Sequence, residues 1–213
     1  MTGAKIYLEG GGEGKSTRVD CEEGFSKLFK TCGYSGRMPR VIACGSRKDA
    51  YDSFKAAQAG AGGDYLALLV DSEDDVTDIE KPWEHLRKRD GKEWERPANA
   101  ANEQVFLMTN CMETWIVADR EALRSHYHGK FQENDLPPLI DLEKRHRHDV
   151  QDDLEKATFN CSNKYKKGRR SFEPLHKLRR SVLEPLLPSF ARMCRILVAT
   201  LTPPERRTNG HNR

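Results

Sequence analysis

The amino-acid sequence predicts an α/β fold with a parallel-sheet core and helical additions toward the C-terminal end. Three observations carry that expectation. Short β-prone runs alternate with amphipathic segments in a β-α-β-α-β order over residues 5–70, the pattern of right-handed crossovers in a parallel sheet. The run Tyr65-Leu66-Ala67-Leu68-Leu69-Val70 has no polar break, as a strand buried on both faces reads. Asp71, Glu73, Asp74 and Asp75 follow at once. They stand at the carboxyl end of that strand, where open α/β sheets bind ligands.

Each element has its own signal. Lys5–Leu8 is a short strand that runs into Glu9-Gly10-Gly11-Gly12, a glycine-rich turn. From Thr17 to Cys32 the apolar residues Cys21, Phe25, Leu28, Phe29 and Cys32 recur at three- and four-residue steps, so one helical face is buried and Gly33 stops it. Val41–Cys44 is a second strand. Ser46 then caps a helix to Gln58 with Tyr51 and Phe54 inward. A polar excursion, residues 77–102, holds one short helix after Pro82. Residues 104–108 read as strand or helix start. Asn110–Ala118 is a buried helix carrying one acid, Glu113, and Asp119 caps a further helix through Tyr127. Residues 129–141 are loop, broken by Pro137-Pro138. Helices follow at Asp149–Thr158 and from Phe190 to Leu201. The organisation predicted is an α/β core over 1–118, a helical extension packed on it over 119–202, and a flexible tail at 203–213.

The charge is uneven although the net is only +3. Residues 71–80 hold six acids and no base, whereas 164–180 hold eight Lys or Arg and one acid, Glu173. One region is suited to a cation and another to phosphates. Six cysteines at long, irregular intervals form no CxxC pair, and no signal peptide precedes the first strand. Free thiols in the cytoplasm are expected, with no membrane partner, since no apolar run approaches a span of about 20 residues.

The chemistry is expected from carboxylates. Glu9 and Asp71 both end strands, so a parallel sheet places them on one edge. Asp71 and Glu73 are two apart, so in an extended segment they face the same way. Glu9, Asp71, Glu73 and Asp74 are therefore candidate ligands for Mg²⁺ or Mn²⁺, with either Glu73 or Asp74 partnering Asp71. Glu113 is set among Met112, Trp115, Ile116 and Val117, where an unpaired carboxylate costs several kcal/mol. Lys164, Lys166, Lys167, Arg169 and Arg170, interleaved with Tyr165 and Phe172, suit a nucleic-acid backbone and its bases. Arg47, just past a strand, is placed to reach a phosphate. Gly12-Glu13-Gly14-Lys15-Ser16-Thr17 looks like part of a phosphate-binding loop, but that motif needs glycine where Glu9 stands.

An early strand ending in Glu9-Gly10, with a later one ending in Asp71-Ser72-Glu73, resembles the Toprim fold of topoisomerases, primases and OLD-type nucleases. The chain is more similar to the RloB-like branch, through Glu9-Gly10-Gly11-Gly12-Glu13 and Asn110-Cys111-Met112-Glu113-Thr114-Trp115. It resembles a bacterial family of unknown function there, through residues 9–12, 36–40, 70–74, 111–115 and 167–172, over about residues 4–185. The resemblance implies a Toprim-like core and a Mg²⁺-dependent nuclease acting on DNA or RNA. It also implies an effector of antiphage defence working with an AAA- or ABC-type ATPase. Glu9 would be general base or metal ligand, Asp71 and Glu73 metal ligands, and Glu113 an additional catalytic carboxylate. Having Glu73 where that pattern has Asp leaves Asp74 open as the partner. The competing reading is a non-catalytic subunit of an ATPase complex.

Overall fold

The computed structural model describes residues 3–34, 36–60 and 62–201; the expected tail 203–213 lies outside the described residues. Four strands form one sheet: β1 (Ala4–Gly11), β2 (Arg40–Gly45), β3 (Tyr65–Asp71) and β4 (Val105–Met108). Their order is β2-β1-β3-β4 and every pairing is parallel. The ambiguous run at 104–108 is thus mostly strand, and all four residues of β4 are buried.

The sheet is covered on both faces, and side-chain alternation along β3 shows how. Ala67 and Leu69 pack with Ile6, Leu8, Phe106 and Met108 beneath α1 (Lys15–Phe29). Leu66, Leu68 and Val70 pack with Val105 and Leu107 on the other face. There they meet Tyr51 and Phe54 of α2 (Arg47–Ala59) and Trp83 and Leu86 of α3 (Pro82–Asp90). Tyr51 stacks on Trp94 with ring centroids 4.5 Å apart. Fully burying each such leucine or phenylalanine is worth about 1.5–3 kcal/mol, which is why the uninterrupted apolar strand specifies a three-layer arrangement.

The remaining helices are α4 (Met112–Ala118), α5 (Arg120–His126), α6 (Arg147–Thr158), α7 (Arg180–Leu186) and α8 (Pro188–Leu201). They extend the layer on the α1 face. Leu123, Val150, Leu154, Leu183, Phe190 and Leu197 belong to the same core as Ile6 and Leu8. Phe190 meets Trp115 edge-on at 4.9 Å, and the Tyr34 hydroxyl donates to the Cys194 carbonyl at 3.1 Å. Between α6 and α7 the chain makes a 3₁₀ segment, Arg169–Lys177, which the sequence pattern did not announce.

Local signals set the helix ends. Ser46 caps α2 in a reciprocal box with Asp49. After α1 the chain widens over Lys30–Tyr34 and turns at Gly33, with φ of 87°. Asp119 caps α5 through the Ala122 N–H and is fully buried. It also accepts from the Arg179 N–H, Nε and Nη2 at 3.0, 2.9 and 2.7 Å, which ties α5 to the start of α7. All six cysteines are free and buried. Among the described residues no helix is long and apolar enough to cross a membrane.

Candidate functional site

The strand order fixes where a ligand site can form. From β1 the chain crosses to β2 on one side, then returns past β1 to β3 on the other. The switch point lies between the carboxyl ends of β1 and β3, where loops diverge and leave a crevice. Glu9 is near the end of β1 and Asp71 is the last residue of β3. Glu9 Oε2 accepts the backbone N–H of Asp71 at 3.0 Å, which holds the two residues side by side.

The end of β1 is irregular. Glu9, Gly10 and Gly11 all register against Gly45, so the strand bulges and then turns away. Gly11 has φ of 84°, and a Cβ there would lie 2.6 Å from Arg18 Cα. Only glycine fits. The turn wraps a cavity of about 450 Å³ lined by Glu9, Asp71, Glu73, Glu113, Arg147 and Lys167, with Met108, Met112 and Phe172 among its walls.

Asp71 is the most constrained group in the cavity. The residue is half-buried, but its Oδ1 is shut away from solvent and has no hydrogen-bond partner. Burial drives its carboxyl well above the usual carboxylate range, and the charges of Glu9, Glu113 and Glu73 push the same way. Burial likewise pushes Glu9 up to about 7, against the Asp71 N–H and the charges of Arg47 and Lys167. Glu9 and Asp71 are thus crowded together, and among the described residues neither has a salt bridge of its own.

Glu113 is 3 % exposed and projects from α4. The Tyr165 hydroxyl donates a hydrogen bond to its Oε1, and Gln151 Nε2 donates to its Oε2 at 3.2 Å. These contacts remove the cost of a carboxylate on an apolar helix; Gln151 was not foreseen as a site group, and Tyr165 was expected to meet bases rather than Glu113. Arg147 and Gln151, four apart on α6, share one helical face; that spacing was the available signal.

Glu73 departs from the extended geometry expected for Asp71-Ser72-Glu73. Its φ is 63°, so the chain reverses there and its carboxylate swings to Arg147, at 2.5 Å, and to Arg89. A second latch explains the reversal. The Ser72 N–H bonds the Met108 carbonyl at 3.0 Å, the Glu73 N–H bonds the Asn110 carbonyl at 3.0 Å, and the Asn110 N–H bonds Ser72 Oγ at 3.0 Å. Asp74 pairs with Arg89 at 2.8 Å, is 64 % exposed, and lines a different cavity. Of the two alternatives it is Glu73 that borders the site.

The structure brings Glu9, Asp71, Glu73, Glu113 and Lys167 to one cavity and sets the other basic residues apart. Arg47 turns inward: Nε donates to the Asp71 carbonyl at 2.9 Å, Nη1 pairs with Asp90 at 2.6 Å, and the guanidinium lies 4.3 Å from the Trp94 ring centre. It braces the strand end. Lys164, Lys166, Arg169 and Arg170 are exposed, with Arg169 paired to Asp20 at 2.8 Å. Tyr165 and Phe172, the aromatics expected to interleave with them, are buried at 4 % and 6 % exposure and offer no face to a base.

Among the described residues, no group of three or more His, Cys, Asp or Glu side chains is arranged to hold a metal ion. Glu9 and Asp71 do offer two adjacent hard oxygen donors, one of them an orphaned buried oxygen. Mg²⁺ commonly takes only one or two carboxylates from a protein and fills its shell with water and phosphate oxygens. Glu73 would first have to leave its arginines.

No curated protein and no solved structure matches the chain. The family described as "Domain of unknown function (DUF4276)" matches residues 12–197, a span that includes Asp71, Glu73, Glu113 and the basic segment and begins just after Glu9. The chain therefore belongs to the DUF4276 family.

Proposed function

We propose that this protein is a Mg²⁺- or Mn²⁺-dependent nuclease that hydrolyses phosphodiester bonds, with Glu9 and Asp71 holding the ion. The observation that carries the reading is the pairing of these two carboxylates at the switch point of a parallel sheet, with a buried, unpartnered Asp71 oxygen on the cavity. A bound divalent ion would lower the pKa of a coordinated water and neutralise charge on the phosphoryl oxygens. Glu113, fixed by Tyr165 and Gln151, orients groups on the far side of the cavity. Lys167 and Arg147 face the charge of the scissile phosphate, and the exposed lysines and arginines after α6 hold the polyanion. The resemblance to Toprim-related nucleases extends the proposal to a Toprim-like core, a cytoplasmic role in antiphage defence, and an AAA- or ABC-type ATPase partner.

One observation favours a second reading, a non-catalytic subunit of such a complex. Glu73 is occupied by two arginines, and no three ligands converge. Cleavage of labelled DNA and RNA with Mg²⁺ or Mn²⁺ separates the two. Glu9→Gln and Asp71→Asn should each lower the rate at least about 100-fold, the scale of a lost acid–base or electrostatic contribution. Equal cleavage by wild type and both variants would refute the assignment. Absence of cleavage by wild type, with or without an ATPase partner, would favour the subunit reading.

A further inference from the structure

We infer that the substrate is held as single strand, through a base stacked on Phe159. This inference rests on the nuclease reading and names the substrate form of the same site.

Phe159 directly follows α6 and is 67 % exposed, although it stands in a chain whose other phenylalanines mostly lie in the core. It borders a shallow groove lined also by His128, Lys130, Asn160, Lys164 and Arg170. Lys164 Nζ lies 5.1 Å from the Phe159 ring centre, so a cation is already seated against the aromatic surface. Among the described residues no carboxylate pairs with Lys130, Lys164 or Arg170. An exposed ring beside unneutralised cations is the arrangement that binds single strands: phosphates follow the positive groove and a base covers the ring.

A second hollow bordered by Phe159 differs. It is lined by Asp135, Asp152, Glu155 and Lys156, with Lys156 paired to Asp135 at 2.7 Å. A polyanion is repelled there, so the strand is directed to the groove that holds Lys164 and Arg170. Chain continuity then links groove to cavity. Lys164 and Arg170 line the groove, whereas Lys167 and Gly168 between them line the carboxylate cavity. One short segment faces both places, so a strand lying on Phe159 is led toward Glu9 and Asp71. A paired duplex has no free base face to offer the ring.

The experiment is fluorescence anisotropy with labelled single-stranded DNA and RNA and the matched duplexes, in EDTA, using the full chain. Wild type should bind single strands more tightly than duplex. Phe159→Ala should weaken single-strand binding about 5- to 100-fold, the range for loss of one stacked base, and leave duplex binding unchanged. Phe159→Trp should retain it. Lys164→Ala should weaken both forms and reduce the salt slope by about one. Unchanged single-strand affinity in Phe159→Ala, or equal losses on duplex, would overturn the inference while leaving the nuclease reading in place. Stacking-dependent binding with no cleavage would sustain it and remove the nuclease reading. No binding of any nucleic acid by wild type would overturn both.

Discussion

Replacing Asp71 with asparagine should make the metal-free protein more stable. Asp71 is half-buried with its Oδ1 shut away from solvent and without a donor, and Glu9, Glu113 and Glu73 all bear on it with like charge. A buried polar oxygen left without its hydrogen bond costs about 1–3 kcal/mol. Asparagine keeps the shape, removes the charge and supplies a donor amid carboxylates. A carboxyl whose folded value is raised costs stability as pH rises, so the gain should be about 1–3 kcal/mol at pH 8 and smaller at pH 5. For a chain of this size that is roughly 2–10 °C in Tm. Thermal and urea unfolding in EDTA measure it. Adding Mg²⁺ reverses the ranking, because a ligand bound only by the native state at about 100 times its Kd contributes about 2.7 kcal/mol, and to wild type alone. Equal or lower stability of Asp71→Asn in EDTA would refute the crowding argument. Equal stabilisation of both proteins by Mg²⁺ would refute Asp71 as a ligand.

Three further outcomes follow from other contacts. Gly11→Ala should destabilise the protein by about 2–4 kcal/mol, since φ of 84° and a Cβ placed 2.6 Å from Arg18 Cα force the backbone to move; a shift under about 1 kcal/mol in urea would contradict this. Tyr165→Phe should cost about 1.5–3 kcal/mol, because it strips a donor from the buried Glu113 carboxylate, and a neutral result in urea unfolding would show that Glu113 finds another. For Asp119, burial pushes the carboxyl up but Arg179 and two backbone N–H groups outweigh it and hold the group below its usual value. A lowered folded pKa gives stability that is present above about pH 4 and lost as pH falls through the folded value. Asp119→Ala should cost about 2–4 kcal/mol at pH 7, with Arg179 partly exposed, and the deficit relative to wild type should shrink toward pH 3. A deficit independent of pH would assign the loss to packing.

The fold class was legible because it depends on patterns that survive in one dimension. An apolar run with no polar break, Tyr65–Val70, has one low-energy home, a strand covered on both faces. Glu9 and Asp71 stand at strand ends, and parallel pairing places all strand ends of one kind on one edge, so their company was also foreseeable. The cap at Ser46 and the stop at Gly33 rest on neighbouring residues alone.

What escaped the sequence depends on residues far apart in it. Glu73 was expected beside Asp71 in extended chain, yet Ser72 and Asn110, 38 positions apart, lock the backbone into a left-handed turn. Its carboxylate meets Arg89 and Arg147, neither of which has a sequence signature linking it to Glu73. Arg47 faces inward because Trp94 and Asp90 arrive from across the fold. Tyr165 and Phe172 looked like exposed aromatics in a basic run, but packing buries both and leaves Phe159 exposed. Periodicity encodes which elements form and which face is buried. Side-chain orientation at loops and strand ends is set by the partners that tertiary packing brings there, and those partners carry no local code.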